Sequence, residues 1–268
     1  MDLKYIDIGI NLMGKQFASD RDKIVEESLE KGVGLIITGT DMRSNKDAAS
    51  YLKAKRPENV WCTCGLHPHN ADRWNPDYKR DFTEFIRKNK ENIVALGEAG
   101  LDYDRMFSTK ENQQKCFSDI LELAEEMDLP LFLHERDAGR DFIKLMKEHP
   151  SVCSRSVVHC FTGSKDMARQ YLQLGCYIGI TGWICDDRRN HDAVEAVKLI
   201  PMERLMIETD APYLTPRNIK GLSSRNVPWN IAYVAQKIAE IKETDTEEVR
   251  RITLQNTKKI LWLLRRRI

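Results

Sequence analysis

Six histidines occur in the 268 residues, and three of them stand where short apolar runs come to an end: His67, His134 and His159. His69 follows two residues after His67, Glu98 ends the fourth such run, and Asp210 ends the eighth. One glutamate, two or three histidines and one aspartate make a donor set for a divalent ion. Imidazole suits Zn²⁺, Mn²⁺, iron and nickel, whereas carboxylate suits Mg²⁺, Ca²⁺ and Mn²⁺. A bound ion acidifies its water and polarises a carbonyl or phosphoryl oxygen. Glu98 has two oxygens and could bridge two ions, while His134 and His159 would each give one nitrogen. Asp210 could bind an ion or take a proton from activated water. Each residue alone is explained as a satisfied core side chain. The four together are not, because a buried carboxylate without a partner costs on the order of several kcal/mol.

Residues so far apart meet only if the chain carries strand ends to one face. Eight apolar, strand-like runs occur, at 5–11, 34–40, 60–68, 93–102, 130–137, 156–163, 176–183 and 205–214. Between them lie amphipathic stretches, such as DRDKIVEESLEKG with a Gly32 stop, and segments near 44–55, 77–89, 110–127 and 190–199. Strands alternating with helices of this length imply parallel βαβ units. Eight units predict a TIM (β/α)8 barrel, an α/β fold of one domain spanning 1–268, since such barrels run to about 250 residues. A doubly wound open sheet is the other candidate, but no G-x-G-x-x-G turn follows the first strand. In a barrel all strands run one way, so residues 98, 134, 159 and 210 share one mouth. The loop TPRNIKGLSSRNVP and two helical segments close the chain, the last ending KKILWLLRRRI.

Composition narrows the partners. Hydrophobic residues make up 41% and charged residues 31%, which excludes a disordered chain, a collagen and a coiled-coil rod. Lys and Arg number 42 against 41 Asp and Glu, so the net charge is +1 and any nucleic-acid contact must come from a local patch. No apolar run reaches the roughly 18 residues of a membrane span, and the start has no signal-peptide anatomy. Seven cysteines, mostly inside apolar runs, predict packed, reduced thiols and a cytoplasmic location. Cys62 and Cys64 have no second pair to complete a zinc site.

In order and spacing the motifs resemble the TatD family of metal-dependent deoxyribonucleases, among the amidohydrolase-like barrels. The resemblance runs through DIGIN (7–11), GLHPH (65–69), GEAGLD (97–102), LHERDA (133–138), VHCFTG (158–163), YIGITGW (177–183), IETDAPYL (207–214) and SSRNVP (223–228). It implies that Glu98, His134 and His159 are metal ligands and that Asp210 is a catalytic or second-metal acid. It also implies that His67 contacts the scissile phosphate or shuttles a proton. Two positions depart from the family's pattern. Gly9 and Asn11 stand where many members carry His-x-His, which predicts a weak second metal site. Val227 stands where the family usually has Glu.

Phosphodiester hydrolysis needs charge neutralisation, an activated water and a proton for the leaving oxygen. The metal set would supply the first two, His67 the third, with His69 as the alternative. Arg136, Arg188, Arg189, Arg217 and Arg225 fall on the expected active face and could hold phosphates. Trp183 and Tyr213 could stack on unpaired bases. The expected substrate contacts are His69, Arg136, Trp183 and Arg225. The expected activity is a 3′–5′ exonuclease of single-stranded DNA, with RNA as a further option, and with a polarity that only the resemblance implies. The alternative is a metal-dependent ester or amide hydrolase, such as a D-aminoacyl-tRNA deacylase. The expected cofactor is Mg²⁺, with Mn²⁺ or Zn²⁺ in its place as options, and the expected state is a monomer without membrane contact.

Overall fold

The apolar runs become eight parallel strands in the computed structural model, which describes residues 2–265. They are β1 (Tyr5–Ile10), β2 (Val33–Ile37), β3 (Val60–Cys64), β4 (Ile93–Asp102), β5 (Leu131–Arg136), β6 (Ser156–Val158), β7 (Tyr177–Ile180) and β8 (Leu205–Ile207). Each pairs with the next in sequence order. A parallel bridge between Ile10 and Ala211 and the bond from the Asp210 N–H to the Gly9 carbonyl, 2.9 Å, join the first strand to the segment after the last. The result is the expected (β/α)8 barrel in a single domain. Its helices are α1 (Arg21–Glu30), α2 (Met42–Lys55), α3 (Pro76–Lys88), α4 (Lys110–Met127), α5 (Gly139–Glu148), α6 (Pro150–Cys153), α7 (Lys165–Gln173), α8 (His191–Leu199), α9 (Ile231–Lys242) and α10 (Thr246–Arg265). Their starts follow local chemistry. Asp41, Asn75, Thr109 and Ser164 each accept a backbone N–H of the first turn with the side chain. Arg266, Arg267 and Ile268 of the basic tip lie outside the described residues. Among those described, no helix is long and apolar enough to cross a membrane.

Two apolar cores form. The larger fills the space between strands and helices. The smaller lies inside the barrel and contains Ile6, Ile8, Ile36, Val94, Phe132, Val157, Tyr177 and Met206, with Ile260 of α10. Side chains alternate along a strand, so the residue two further on faces the same way. Two beyond Phe132 is His134, two beyond Val157 is His159, and two beyond Met206 is Glu208. The layer above the inner apolar plug is therefore ionisable, and it lies at the carboxyl ends of the strands.

Several strand ends differ from expectation. Glu98 lies inside β4, whose pairing with β5 shifts register between Leu96 and Ala99. Gly97, at φ +137°, permits that shift; a Cβ there would collide with the Phe132 carbonyl. The sixth and eighth strands are shorter than their apolar runs. Cys160 and Asp210 adopt left-handed φ of 47° and 54°, which turns the chain out of the ladder. All seven cysteines are free, and Cys62 and Cys64 are packed in the larger core.

Asp7 ties the barrel seam. Its fully buried carboxylate accepts the Thr209 hydroxyl at 2.5 Å, the Thr209 N–H at 2.9 Å and the Gly9 N–H at 3.2 Å. Asp7→Ala strands these donors, so an expected loss of roughly 2–5 kcal/mol follows from the cost of buried unpaired groups. Urea unfolding of the variant beside the wild type measures it, and an unchanged midpoint would refute it.

Candidate metal centre

Five strands deliver the site. Just beyond β3, the turn at His67–Pro68 presents His67 and His69. β4 carries Glu98 and ends on Asp102, β5 carries His134, His159 directly follows β6, and Glu208 and Asp210 follow β8. Three imidazole nitrogens converge on one oxygen, Glu98 Oε1: His159 Nε2 at 2.9 Å, His134 Nδ1 at 3.0 Å and His67 Nε2 at 3.1 Å. Ligand atoms of His67, Glu98 and His134 all lie within 4.8 Å of one another.

The outer ring nitrogens separate the three histidines. His134 Nε2 lies 3.2 Å from Asp102 Oδ2, and His159 Nδ1 lies 3.4 Å from Glu208 Oε2. An ionised carboxylate only accepts, so each outer nitrogen carries a proton, which leaves the inner one as the nitrogen that would face an ion. His67 is wired the other way. Its Nδ1 accepts the His69 N–H at 3.2 Å, which puts the proton of the neutral ring on Nε2. His134 and His159 thus share one arrangement around Glu98, and His67 has another.

Electrostatics also separates the three rings. Burial disfavours the charged form of His134 and His159, yet carboxylate partners overcome it and hold both rings above the ordinary histidine value. Burial dominates at His67, whose value falls. Burial alone would raise Glu98, but the surrounding imidazoles pull it well below the usual carboxylate range. Burial pushes Asp210 up to about 7, against the pull of His159 and with Glu98 and Glu208 adding repulsion. Four carboxylates around these imidazoles leave a negative field that a divalent cation fits.

Two glycines make room for this arrangement. A Cβ on Gly9 would sit 2.5 Å from Glu208 Oε2, and one on Gly179 would sit 2.6 Å from Glu208 Oε1. Glu208 thus fills the space that a side chain at position 9 would need, and its Oε1 is fixed by the Cys160 N–H at 2.6 Å. Asn11 is committed too, donating its amide to Asp210 Oδ1 at 2.8 Å.

The expected residues His67, His69, Glu98, His134, Arg136, His159, Trp183 and Asp210 line one cleft of about 500 Å³. Arg225 does not line it. Its guanidinium is fastened to Asp20 through bonds of 2.6 and 2.9 Å. Arg188 and Arg189 both hold Asp186, and Arg189 also lies over the Trp183 ring at 3.9 Å. Val227 packs against the larger core. Sequence reasoning missed Glu208 and Asp102, although strand alternation from Met206 and from Glu98 points at both.

A barrel whose mouth gathers imidazoles and carboxylates from five strands has the architecture of a metal-dependent barrel hydrolase. The chain belongs to the TatD-related DNase family, whose description matches residues 6–262. It is 40% identical over 255 residues to the 3′-5′ ssDNA/RNA exonuclease TatD of Escherichia coli K12, covering 94% of this chain and 96% of that protein. It is 41% identical over 264 residues to the protein of that name in Rahnella, covering 97% and 99%. Among solved structures, a TatD family hydrolase from Entamoeba histolytica matches with a TM-score of 0.89 at 27% identity, covering 97% of this chain and 98% of that one. A TatD homologue from Escherichia coli K12 matches with a TM-score of 0.86 at 26% identity, covering 97% and 98%.

Proposed function

We propose that this chain is a divalent-metal-dependent 3′–5′ exonuclease of single-stranded DNA and RNA. One observation carries the reading: two imidazoles, each with its outer nitrogen on a carboxylate, turn their inner nitrogens to Glu98 at the floor of an open cleft. The names of the relatives supply the substrate and the polarity. Glu98, His134 and His159 would hold the ion, with Asp210 beside them, and Mg²⁺ is the ion proposed. When bound, it would lower the pKa of a water and neutralise charge on the phosphate oxygens. Asp210 takes the proton of the attacking water, and His67 gives one from Nε2 to the leaving oxygen. Arg136, His69 and Trp183 border the path of the strand.

The test uses metal-stripped protein, added Mg²⁺, and single strands labelled at either end. Immediate loss of the 3′ label with a ladder from the 5′ label is expected. Intact strands in every lane would overturn the proposal. A second expectation concerns the ion itself. Mn²⁺ should raise the melting temperature by mass action. Glu208→Gln should weaken that dependence by about 10- to 100-fold in ion concentration, the usual effect of losing a carboxylate behind a ligand histidine. An unchanged Mn²⁺ titration would refute the role given to Glu208.

A further inference from the structure

Among the described residues, the large apolar side chains left exposed are Met106, Phe107 and Tyr213, at 42%, 66% and 51%. All three stand at the carboxyl mouth of the barrel, two in the loop after β4 and one after β8. Tyr213 lines the cleft. Phe107 meets His69 edge to face, with ring centroids 4.8 Å apart, and His69 lines the cleft as well.

The loop that displays Phe107 is pinned on both sides. Asp102 Oδ1 accepts the N–H groups of Asp104 and Arg105 at 3.1 and 2.8 Å. The Ser108 hydroxyl donates to the His69 carbonyl at 3.0 Å, and the Thr109 N–H reaches Asp72 at 3.1 Å. From α4, Gln113 Nε2 donates to the carbonyls of Asp102 and Ser108 at 3.0 and 2.9 Å. A loop this well fastened would ordinarily tuck a phenylalanine into the core, and here it holds one two-thirds in water. The other oxygen of the same Asp102 carboxylate contacts His69 at 2.8 Å and His134 at 3.2 Å. One carboxylate therefore sets the loop and the ligand histidine at once, which fixes the Phe107 ring relative to the metal centre.

We infer that Phe107 is the stacking platform for an unpaired base next to the scissile phosphate, which gives the site its demand for single-stranded ends. The inference rests on the nuclease reading. The ring is held in place before binding, so ordering costs little, and a π-face accepts any base. A paired base keeps its neighbours and cannot offer that face without unstacking.

The test compares wild type, Phe107→Ala, Phe107→Leu and Phe107→Trp on fluorescent single strands. Each strand carries one abasic residue, at the 3′ terminal, penultimate or central position, beside an intact control. Binding is read by anisotropy on metal-stripped protein, and shortening is read with added Mg²⁺. Wild type should lose roughly 5- to 150-fold on one of the two end positions, the range of a single base–aromatic stack, and nothing at the centre. Phe107→Ala and Phe107→Leu should lose the same factor on the intact strand and become indifferent to the missing base, whereas Phe107→Trp should keep the preference. Leucine keeps the apolar bulk, so its failure separates stacking from packing. Equal behaviour of wild type and both truncations would overturn the inference. Wild-type binding that needs the base and Phe107, without shortening of any strand, would leave the platform standing and defeat the nuclease reading instead.

Discussion

Removing one ligand imidazole, by His134→Ala or His159→Ala, is expected to lower metal-dependent turnover by about three orders of magnitude, the worth of several kcal/mol of charge stabilisation. Both rings point their inner nitrogen at Glu98 Oε1 and lean their outer nitrogen on a carboxylate. Truncation therefore removes a ligand and also leaves Glu208 without its imidazole partner, or Asp102 with His69 alone. The barrel should survive, because the smaller core beneath is complete without the imidazoles, Phe132 and Val157 filling the layer below. Circular dichroism should match the wild type, while the Mn²⁺-dependent rise in melting temperature disappears. His67→Ala separates the roles: turnover should fall while the Mn²⁺ titration stays where it was, because the His67 lone pair is taken by the His69 N–H. Near-normal turnover in either ligand variant would remove these residues from the centre. Loss of the Mn²⁺ response in His67→Ala would move that ring into the ligand set.

The order of eight strands was legible because each is a short run of β-branched and apolar residues between helical stretches with polar starts. His134 and His159 were legible for the same reason, since each stands where such a run comes to an end. Glu98 was legible as a residue but not in its place. The register shift after Leu96 depends on how β4 meets β5, and no local pattern reports a partner strand. Glu208 was hidden by its neighbour. In IETDAPYL the aspartate drew the chemistry, although the alternation from Met206 points the glutamate inward. What the sequence could not show is the space, because Gly179 and Gly9 lie about thirty and two hundred positions away from the carboxylate they admit. Arg225 reads as a phosphate contact by its type and its loop. Its pairing with Asp20 is a tertiary fact, and it places the guanidinium outside the cleft. Phe107 carried no periodic signal, since loop residues have none, and only its exposure beside His69 marks it.

Asp210→Asn should cost 10²- to 10⁴-fold in kcat, the range that a positioned general base supplies, with little change in KM. The substitution keeps the shape and an oxygen for the Asn11 amide, so the cleft should persist. What disappears is a group that can accept a proton. Burial, with Glu98 and Glu208 adding repulsion, raises the Asp210 carboxyl to about 7. A raised value means that the protonated form persists upward from the ordinary carboxylate range, and a protonated carboxyl cannot serve as a base. Turnover needs the bound cation, which favours the charged form, so the wild type should climb with pH along an acid limb that ends in a plateau below about 7. The variant should be slow and should lack the limb altogether. Rates of 3′ shortening measured from pH 5 to 9 at saturating strand check both halves. A variant within tenfold of the wild type, or one that keeps the acid limb, would transfer the base role to another group in the cleft. Because the ligand variants lose the ion response and this one should keep most of it, the two sets of measurements separate holding the ion from moving the proton.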